Sequence, residues 1–572
     1  MLESDLRQYF PIFHSSDTAN PWVYLDSAAT SQKPQSVLEQ MERFYAMDNA
    51  NVHRASHNVA LRATASFETA RANVQGFINA ASAKEIIWTK GATESINLLA
   101  SILARGHFKP GDQILLSTLE HHANIVPWQQ VAEQLNLRLR VMPIDENGIL
   151  DLHQALTLIN DNTAMLAIGH VSNALGNINP VEKLIERAKL FGALTLIDGA
   201  QAVAHIPIDV QALDCDFYVF SGHKMFGPTG IGVLYGKEAL LARLPPYQYG
   251  GEMIEHVSFS GTRFQGLPLK YEAGTPNIAG VVGLAAAVDF IVQHRATITQ
   301  HEGFLYRRLL QELEQVPGIR LWGDLANSTA IQSFTIEGLN NQDLGLLLNE
   351  HNFALRVGHH CAMPLMQALG LDEGTLRVSL ACYNTGQEIE RFVKALNSAI
   401  GTLQGNGSAK TPVNKEKHVF DPAQFLPIAR QVLQAKGWDE TYRQIMLAGK
   451  GLNRLAPEDH LPEYEVAGCE SQVWLTCATH NGLLSFKADS PSKIVRGLLA
   501  LMFEVLQNQS IKQVLAFDMP DYLQQLGLAK YLSPSRGNGL QAVLRKIMDY
   551  CANSPKQIIG NKVGEYSLPR LP

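Results

Sequence analysis

Phe217-Tyr218-Val219-Phe220-Ser221-Gly222-His223-Lys224 decides the reading of this chain. Four aromatic and β-branched residues in a row suit a strand buried on both faces, and the small and polar residues that follow end it. The run therefore delivers one lysine, Lys224, to the loop at a strand's carboxyl end. Twenty-six residues earlier, Thr195-Leu196-Ile197-Asp198-Gly199-Ala200-Gln201 is a second apolar strand that ends on a carboxylate. Each has a plain reading by itself, as a solvated loop lysine and a helix-capping aspartate. As a pair they meet the needs of pyridoxal phosphate: a lysine amine for a Schiff base, and an acid beside the ring nitrogen to keep it protonated.

Around this pair, from about residue 85 to 235, short apolar runs alternate with helical patterns: Glu85 to Thr89, Gln113 to Ser117, Arg138 to Met142, Ala164 to Ile168, Leu194 to Ile197, Phe217 to Phe220 and Ile231 to Tyr235. Several spacers are long enough for crossover helices, which predicts a mainly parallel α/β sheet covered on both faces. Ligands of such sheets lie at the strands' carboxyl ends, where Asp198 and Lys224 fall. Past about residue 280 the helical patterns lengthen, with apolar strands such as Ala330 to Ile336 and Thr375 to Leu380, which predicts a smaller α/β subdomain ending near residue 400. Gly401-Thr402-Leu403-Gln404-Gly405-Asn406-Gly407-Ser408-Ala409-Lys410-Thr411-Pro412 is poor in large apolar residues and reads as the start of a flexible linker over 401–417.

The remainder, 418–552, reads as a compact α+β domain. Val473 to Ala478 and Leu483 to Ala488 flank an Asn481-Gly482 hairpin turn. Ser490-Pro491 predicts a helix cap and first-turn proline before Ile494, Leu498, Leu499, Met502, Phe503 and Leu506 at helical spacing. Leu540, Val543, Leu544 and Ile547 mark another amphipathic helix. No role is assigned to the tail, 553–572.

The 572 residues exceed one ordinary domain, and 46% hydrophobic content supplies large cores. A net charge of -7 over this length, without basic runs, points away from nucleic acid. The start lacks the blocks of a signal peptide, and no uninterrupted span of about 18 apolar residues stands out, so a soluble cytoplasmic protein without membrane partners is expected. The six cysteines, Cys215, Cys361, Cys382, Cys469, Cys477 and Cys551, form no CxxC pair, so neither a disulfide framework nor a metal site is expected.

Other chemistry-bearing residues cluster at the same strand ends. Gly91-Ala92-Thr93-Glu94-Ser95 opens a helix after a strand, where free backbone N–H groups and the Thr93 hydroxyl suit a phosphate, although an ordinary capped helix has the same sequence. Ser221 and His223 stand ready to add phosphate contacts. His121, in Glu120-His121-His122-Ala123-Asn124, is placed to stack on a ring and move protons. Asn173 and Gln201 are amides suited to cofactor or substrate oxygens, with loop capping as the plain alternative. Cys361 follows Gly358, His359 and His360 in an expected loop, where a nearby imidazole would favour its thiolate over the usual buried filler.

Residues from about 20 to 400 resemble the Suf-type, or group II, cysteine desulfurases, which are fold-type I pyridoxal phosphate enzymes. The matching segments are Tyr24-Leu25-Asp26-Ser27-Ala28-Ala29, Val52-His53-Arg54, Gly91-Ala92-Thr93-Glu94, Glu120-His121-His122-Ala123-Asn124, Asp198-Gly199-Ala200-Gln201, Ser221-Gly222-His223-Lys224, Glu272-Ala273-Gly274-Thr275-Pro276 and Arg356-Val357-Gly358-His359-His360-Cys361-Ala362-Met363-Pro364. The resemblance implies a large domain over about 20–275 and a small subdomain from the N-terminal segment and about 280–400. It implies Lys224 as the Schiff-base lysine, Asp198 on the pyridine nitrogen, His121 over the ring and Gln201 at the ring oxygen. Ala92, Thr93, Ser221 and His223 would hold the phosphate, with Thr275 reaching in from a second subunit of a homodimer. Asn173, Arg377 and Arg356 would bind the substrate, the bidentate Arg377 taking the carboxylate, which otherwise reads as a surface ion-pair residue. Cys361 would be the nucleophile that takes sulfur from L-cysteine, leaving a persulfide and alanine.

Residues from about 418 to 552 resemble SufE-type sulfur acceptors through Val466-Ala467-Gly468-Cys469-Glu470-Ser471-Gln472-Val473-Trp474, the helix after Asp489-Ser490, and Leu532-Ser533-Pro534-Ser535-Arg536-Gly537-Asn538-Gly539-Leu540. The resemblance puts Cys469 at the acceptor position, while strand alternation sends Cys477 to the core with Val473 and Leu475. A persulfide would then pass from Cys361 to Cys469 across a linker of about 15 residues, whose r.m.s. span is about 20 Å, and onward to a downstream acceptor such as an iron–sulfur scaffold. Two other readings use the same residues: a selenocysteine lyase or other β-eliminating enzyme, and a C-terminal domain that regulates or scaffolds.

Overall fold

The structure, a computed structural model, describes residues 5–14, 21–54, 56–405, 426–435, 438–466, 472–528 and 534–553. Two compact units divide the chain, Met1–Ala409 and Lys410–Pro572.

The first unit is built on a sheet of β1 (Ile86–Thr89), β2 (Gln113–Ser117), β3 (Arg138–Met142), β4 (Thr163–Gly169), β5 (Leu194–Asp198), β6 (Phe217–Ser221) and β7 (Gly232–Gly236). Across the sheet the order is β1-β7-β6-β5-β4-β2-β3. β7 alone runs against its neighbours, so the sheet is mainly parallel, as expected. The run that opened the sequence argument shows why it is a strand. Phe217 and Val219 face one core, with Ile96 and Leu99 of the helix Ala92–Leu103. Tyr218 and Phe220 face the other, with Val281 and Leu284 of the helix Ile278–Leu313. Apolar residues on both faces are what a central strand between two helical layers requires.

Register then brings the strand ends together. Asp198, the last residue of β5, lies opposite Gly169 of β4 and Val219 of β6. Ser221 ends β6, and the tight turn Gly222–Lys224 follows at once. Gly232 pairs with both Ser221 and Thr89, and a Cβ there would stand 2.4 Å from Gly91 Cα. Only glycine lets the start of the helix Ala92–Leu103 approach this closely.

A second sheet contains β8 (Ile319–Trp322), β9 (Ile331–Ile336), β10 (Arg356–Gly358) and β11 (Thr375–Ser379), in the antiparallel order β8-β9-β11-β10. Phe334, Leu376 and Val378 pack its core against Phe392 and Leu396. The N-terminal segment joins it, Val23–Tyr24 pairing with Phe353–Ala354 and Asp26 bridging to Ser379. The 36-residue helix Ile278–Leu313 is long and apolar enough to cross a membrane, but 67% of its most apolar window is buried in the unit, the position of a core helix.

The helix Gly386–Gly405 continues through residues 401–404, where the sequence predicted linker. Leu403 extends the stripe of Phe392, Leu396 and Ile400 that packs on the small sheet, and this contact outweighs the local glycines. Residues 406–417 lie outside the described residues.

In the second unit, β12 (Trp474–His480) and β13 (Leu483–Asp489) form the expected antiparallel hairpin. Asn481 and Gly482 have φ of 52° and 79°, the two positive values that a two-residue turn of this hand demands. The following helix, Lys493–Leu506, is capped by Ser492, which accepts from Val495 N, and not by Ser490 as predicted. Asp489 accepts the Ser490 N–H at 2.8 Å and Ser490 is buried, so the helix starts two residues later. Leu540, Val543 and Ile547 are buried along the helix Pro534–Asn553. Cys477 packs partly against this unit's core, and burial pushes its thiol up to about 12.

Candidate active site

The carboxyl ends of β4, β5 and β6, the start of the helix Ala92–Leu103 and one edge of the small sheet enclose a cavity of about 200 Å³. Lys224, Asp198, Gln201, His121, Asn173, Ala92, Thr93, Ser221, His223, Arg356 and Arg377 all line it. These positions span almost the whole first unit in sequence, and the fold brings them to one place.

At the strand-end side, Ala92 N donates to Ser221 Oγ at 2.8 Å, tying the helix start to β6. Lys224 is held through its backbone. The His223 carbonyl accepts from Ser31 N at 2.9 Å and from Thr30 Oγ1 at 3.0 Å, and Phe226 N donates to Ser31 Oγ at 2.7 Å. Ser31 thus spans the turn on both sides of Lys224. Burial pushes the Lys224 amine down, helped by Arg377 and Arg356 and opposed by Asp198 and Cys361. Asp198 accepts from Ala200 N at 3.0 Å, and burial raises its carboxyl nonetheless.

His121 is pushed down to about 3, first by burial and then by the Lys224 charge. Its Nδ1 accepts from Ala123 N at 3.0 Å, so the ring is neutral and carries its proton on Nε2. The neighbouring His122 accepts the Met363 N–H through Nε2 at 3.0 Å, and its own N–H donates to the Cys361 carbonyl at 2.8 Å. His122 therefore holds the Cys361 loop to the strand-end loop. His223 is lowered to about 4 by burial, with Lys224 and Lys33 adding. Asn173 Nδ2 donates to the His360 carbonyl at 2.5 Å, and Gln201 Nε2 to the Ala28 carbonyl at 2.7 Å, so both amides also brace the walls of the cavity.

β10 and β11 set Arg356 directly opposite Arg377. Like charges facing across strands repel, and each guanidinium has its own answer. Arg377 Nη2 donates to Asp26 Oδ1 at 2.8 Å and its Nη1 to the Asn173 carbonyl at 2.7 Å. Arg356 Nη2 donates to Cys361 Sγ at 3.3 Å. The sequence reading placed an imidazole beside this thiol; the group on the sulfur is a guanidinium. His359 instead bonds the Asp372 carbonyl at 2.7 Å, and the buried His360 bonds Thr375 Oγ1 at 2.9 Å. Gly358, His360 and Cys361 all have positive φ, 113°, 52° and 59°, a left-handed path that two non-glycine residues hold only because the loop is bonded on every side.

Two functional candidates escaped the sequence reading. Glu120 lines the cavity and accepts from Ser117 Oγ, from Asn124 Nδ2 at 2.7 Å and from Gly169 N at 2.9 Å, yet burial lifts it to about 7. Its position beside His121 at a strand end was the available signal. Asp26 pairs with Arg377 351 residues away, and no local pattern announces that.

Some expected residues stand elsewhere. Thr275 is exposed and lines a separate cavity with Lys90, Tyr247 and Asn277. Glu272, in the same segment, is buried in a bidentate pair with Arg71 at 2.7 and 3.0 Å, a structural contact. Val52-His53-Arg54 bonds to Glu68 and Glu252. Cys469 lies outside the described residues; on either side of it in sequence, Val466 N donates to the Val473 carbonyl at 2.8 Å.

The donor set fits pyridoxal phosphate. A helix start with Ser221 and Thr93 suits an anion, Asp198 suits a ring nitrogen, and the amine of Lys224 has the depressed basicity that Schiff-base chemistry uses.

Comparison with known proteins gives the chain's family. Residues 23–392 match the aminotransferase class-V family, and residues 427–551 match the SufE family, described as an Fe-S metabolism associated domain. The chain is 47% identical over 405 residues to a probable cysteine desulfurase of Vibrio cholerae, covering 70% of this chain and 100% of that protein. It is also 47% identical over 404 residues to a probable cysteine desulfurase of Pseudomonas aeruginosa, again covering 70% and 100%. Among solved structures, the cysteine desulfurase CsdA of Escherichia coli superposes with a TM-score of 0.64 at 41% identity, over 69% of this chain and 98% of that one. An apo cysteine desulfurase of Thermococcus onnurineus gives 0.66 at 37% identity, over 70% and 100%. The chain belongs to the cysteine desulfurases of the class-V aminotransferase family, which depend on pyridoxal phosphate, and a SufE domain follows in the same chain.

Proposed function

We propose that this chain takes the sulfur of L-cysteine onto Cys361, releases alanine, and hands the sulfur to Cys469 of its own SufE domain. The observation that carries the reading is Arg356 Nη2 at 3.3 Å from Cys361 Sγ, on an arginine that also lines the cavity of Lys224 and Asp198. The guanidinium hydrogen-bonds the sulfur and ties it to the cavity that Arg356 lines. Pyridoxal phosphate, when bound, supplies the electron sink that makes the substrate Cα proton acidic.

In this reading the chain's residues divide the work. Ala92, Thr93, Ser221 and His223 hold the phosphate, with Thr275 arriving from the second subunit of a homodimer. Asp198 would accept the ring N–H, Gln201 would meet the ring oxygen, and neutral His121 would stack on the ring with its Nε2 proton available. Arg377 binds the substrate carboxylate, with Asn173 beside it. The Lys224 amine, its basicity lowered by burial, removes the Cα proton. The Cys361 thiolate then attacks the substrate sulfur: the S–S bond forms as the substrate C–S bond breaks, and the carbon product takes a proton to become alanine. Attack by the Cys469 thiolate on the outer sulfur regenerates the Cys361 thiolate.

The desulfurase domain covers 1–405, 406–417 connects, and 418–552 accepts, with delivery to iron–sulfur cluster assembly. The setting proposed is cytoplasmic. Neither a selenium-specific lyase nor a purely regulatory C-terminal domain has an observation in its favour. The test is Cys361→Ala: the variant should bind L-cysteine and form no protein persulfide, whereas sustained sulfide release would overturn the assignment.

A further inference from the structure

Arg377 is 1% exposed, and a guanidinium so deeply buried needs a compensating charge. It has one. Its Nη2 donates to Asp26 Oδ1 at 2.8 Å, its Nη1 donates to the Asn173 carbonyl at 2.7 Å, and its Nε is buried without a hydrogen-bond partner. With Nε enclosed, a substrate carboxylate has only the Nη1–Nη2 edge to use, and Asp26 already occupies part of that edge. We propose that Asp26 is a resident counter-ion that competes with the substrate carboxylate for Arg377 and thereby sets the affinity for α-carboxylate ligands. The proposal rests on the reading of the cavity as an amino-acid site.

The backbone places this carboxylate. Asp26 bridges to Ser379 of β11, two residues from Arg377 on the same strand. Ser379 N donates to the Leu25 carbonyl at 2.7 Å, and Ser27 N donates to the Ser379 carbonyl at 3.3 Å, so the segment is fixed on both sides of Asp26. The Asp26 side chain is 23% exposed, which leaves it partly hydrated and able to give up its contact. A ligand carboxylate brings a second negative charge to the same guanidinium, and the two repel. Arg356 stands opposite Arg377 but is directed to Cys361, so it does not relieve the competition.

The test titrates wild-type, Asp26→Asn, Asp26→Ser and Asp26→Glu holoenzyme with L-alanine and with cysteamine, which has no carboxylate, and reads binding by calorimetry. Both charge-removing variants should bind L-alanine more tightly by about ten-fold or more, the scale of one like charge removed at about 4 Å with nearly the screening of water. Cysteamine affinity should stay the same, and Asp26→Glu should restore the weaker L-alanine affinity. Asp26→Asn should also melt lower without ligand and gain more from L-alanine, because the ligand becomes the only counter-ion. Unchanged or weaker L-alanine binding in the charge-removing variant that folds, or equal tightening for cysteamine, would overturn the proposal. Failure of the wild type to bind L-alanine would overturn the amino-acid reading instead.

Discussion

Arg356 and Cys361 meet at 3.3 Å, guanidinium Nη2 to sulfur, across a loop in which His360 and Cys361 both hold left-handed backbone angles. Five residues of separation would let the two drift apart; the strained path of the loop keeps them together. Asn173 on the His360 carbonyl, His122 on the Cys361 carbonyl and Thr375 on the His360 ring fix that path.

Removing the guanidinium takes the donated hydrogen bond from this sulfur. Arg356→Ala is expected to lower the alkylation rate of Cys361 by iodoacetamide at neutral pH, and persulfide formation with it, by about ten-fold or more, the scale of one charge-assisted hydrogen bond. Peptide mass mapping of alkylated Cys361 over time reads this directly. An unchanged rate would mean that the contact does not act on the thiol.

Arg377→Lys should raise KM for L-cysteine by about ten-fold or more with a smaller change in kcat, because a point charge cannot reproduce two parallel donors to one carboxylate. Steady-state alanine release checks both constants.

Glu120 gives a pH signature. Its folded value, about 7, lies above the ordinary 4.5, so the folded chain binds more protons than the unfolded chain between those values. The group's contribution is full in acid and is lost as pH rises through about 7. Glu120→Gln, neutral throughout, should flatten the fall in stability between about pH 5 and pH 8 by on the order of 2–3 kcal/mol. Urea melts of the desulfurase unit in the whole chain, followed at both pH values, make the comparison. Parallel pH profiles for the two proteins would contradict the shift.

The sequence made legible whatever depends on short-range pattern. Phe217 to Phe220 is a strand because both its faces are apolar, and Lys224 and Asp198 fall at strand ends because parallel sheets place polar residues there. The Asn481-Gly482 turn was equally local. Contacts between distant segments were out of reach: Asp26 meets Arg377, and Ser31 bridges His223 and Phe226, through pairings that no spacing encodes. Local signals also misled where tertiary contacts overrode them. Leu403 draws the last helix of the unit past two glycines, and Asp489 moves a helix cap from Ser490 to Ser492. At Cys361 the adjacent histidines suggested an imidazole, but the β10–β11 pairing brings in Arg356 instead.

The central claim is a relay with a direction. The most direct measurement is a brief pulse of sulfur-labelled L-cysteine, followed by rapid quenching, alkylation and mass mapping of persulfides on the full chain. Label should appear on Cys361 first and on Cys469 later, and should stay confined to Cys361 in Cys469→Ser. Label reaching Cys469 in Cys361→Ala, or never reaching Cys361 in the wild type, would contradict it.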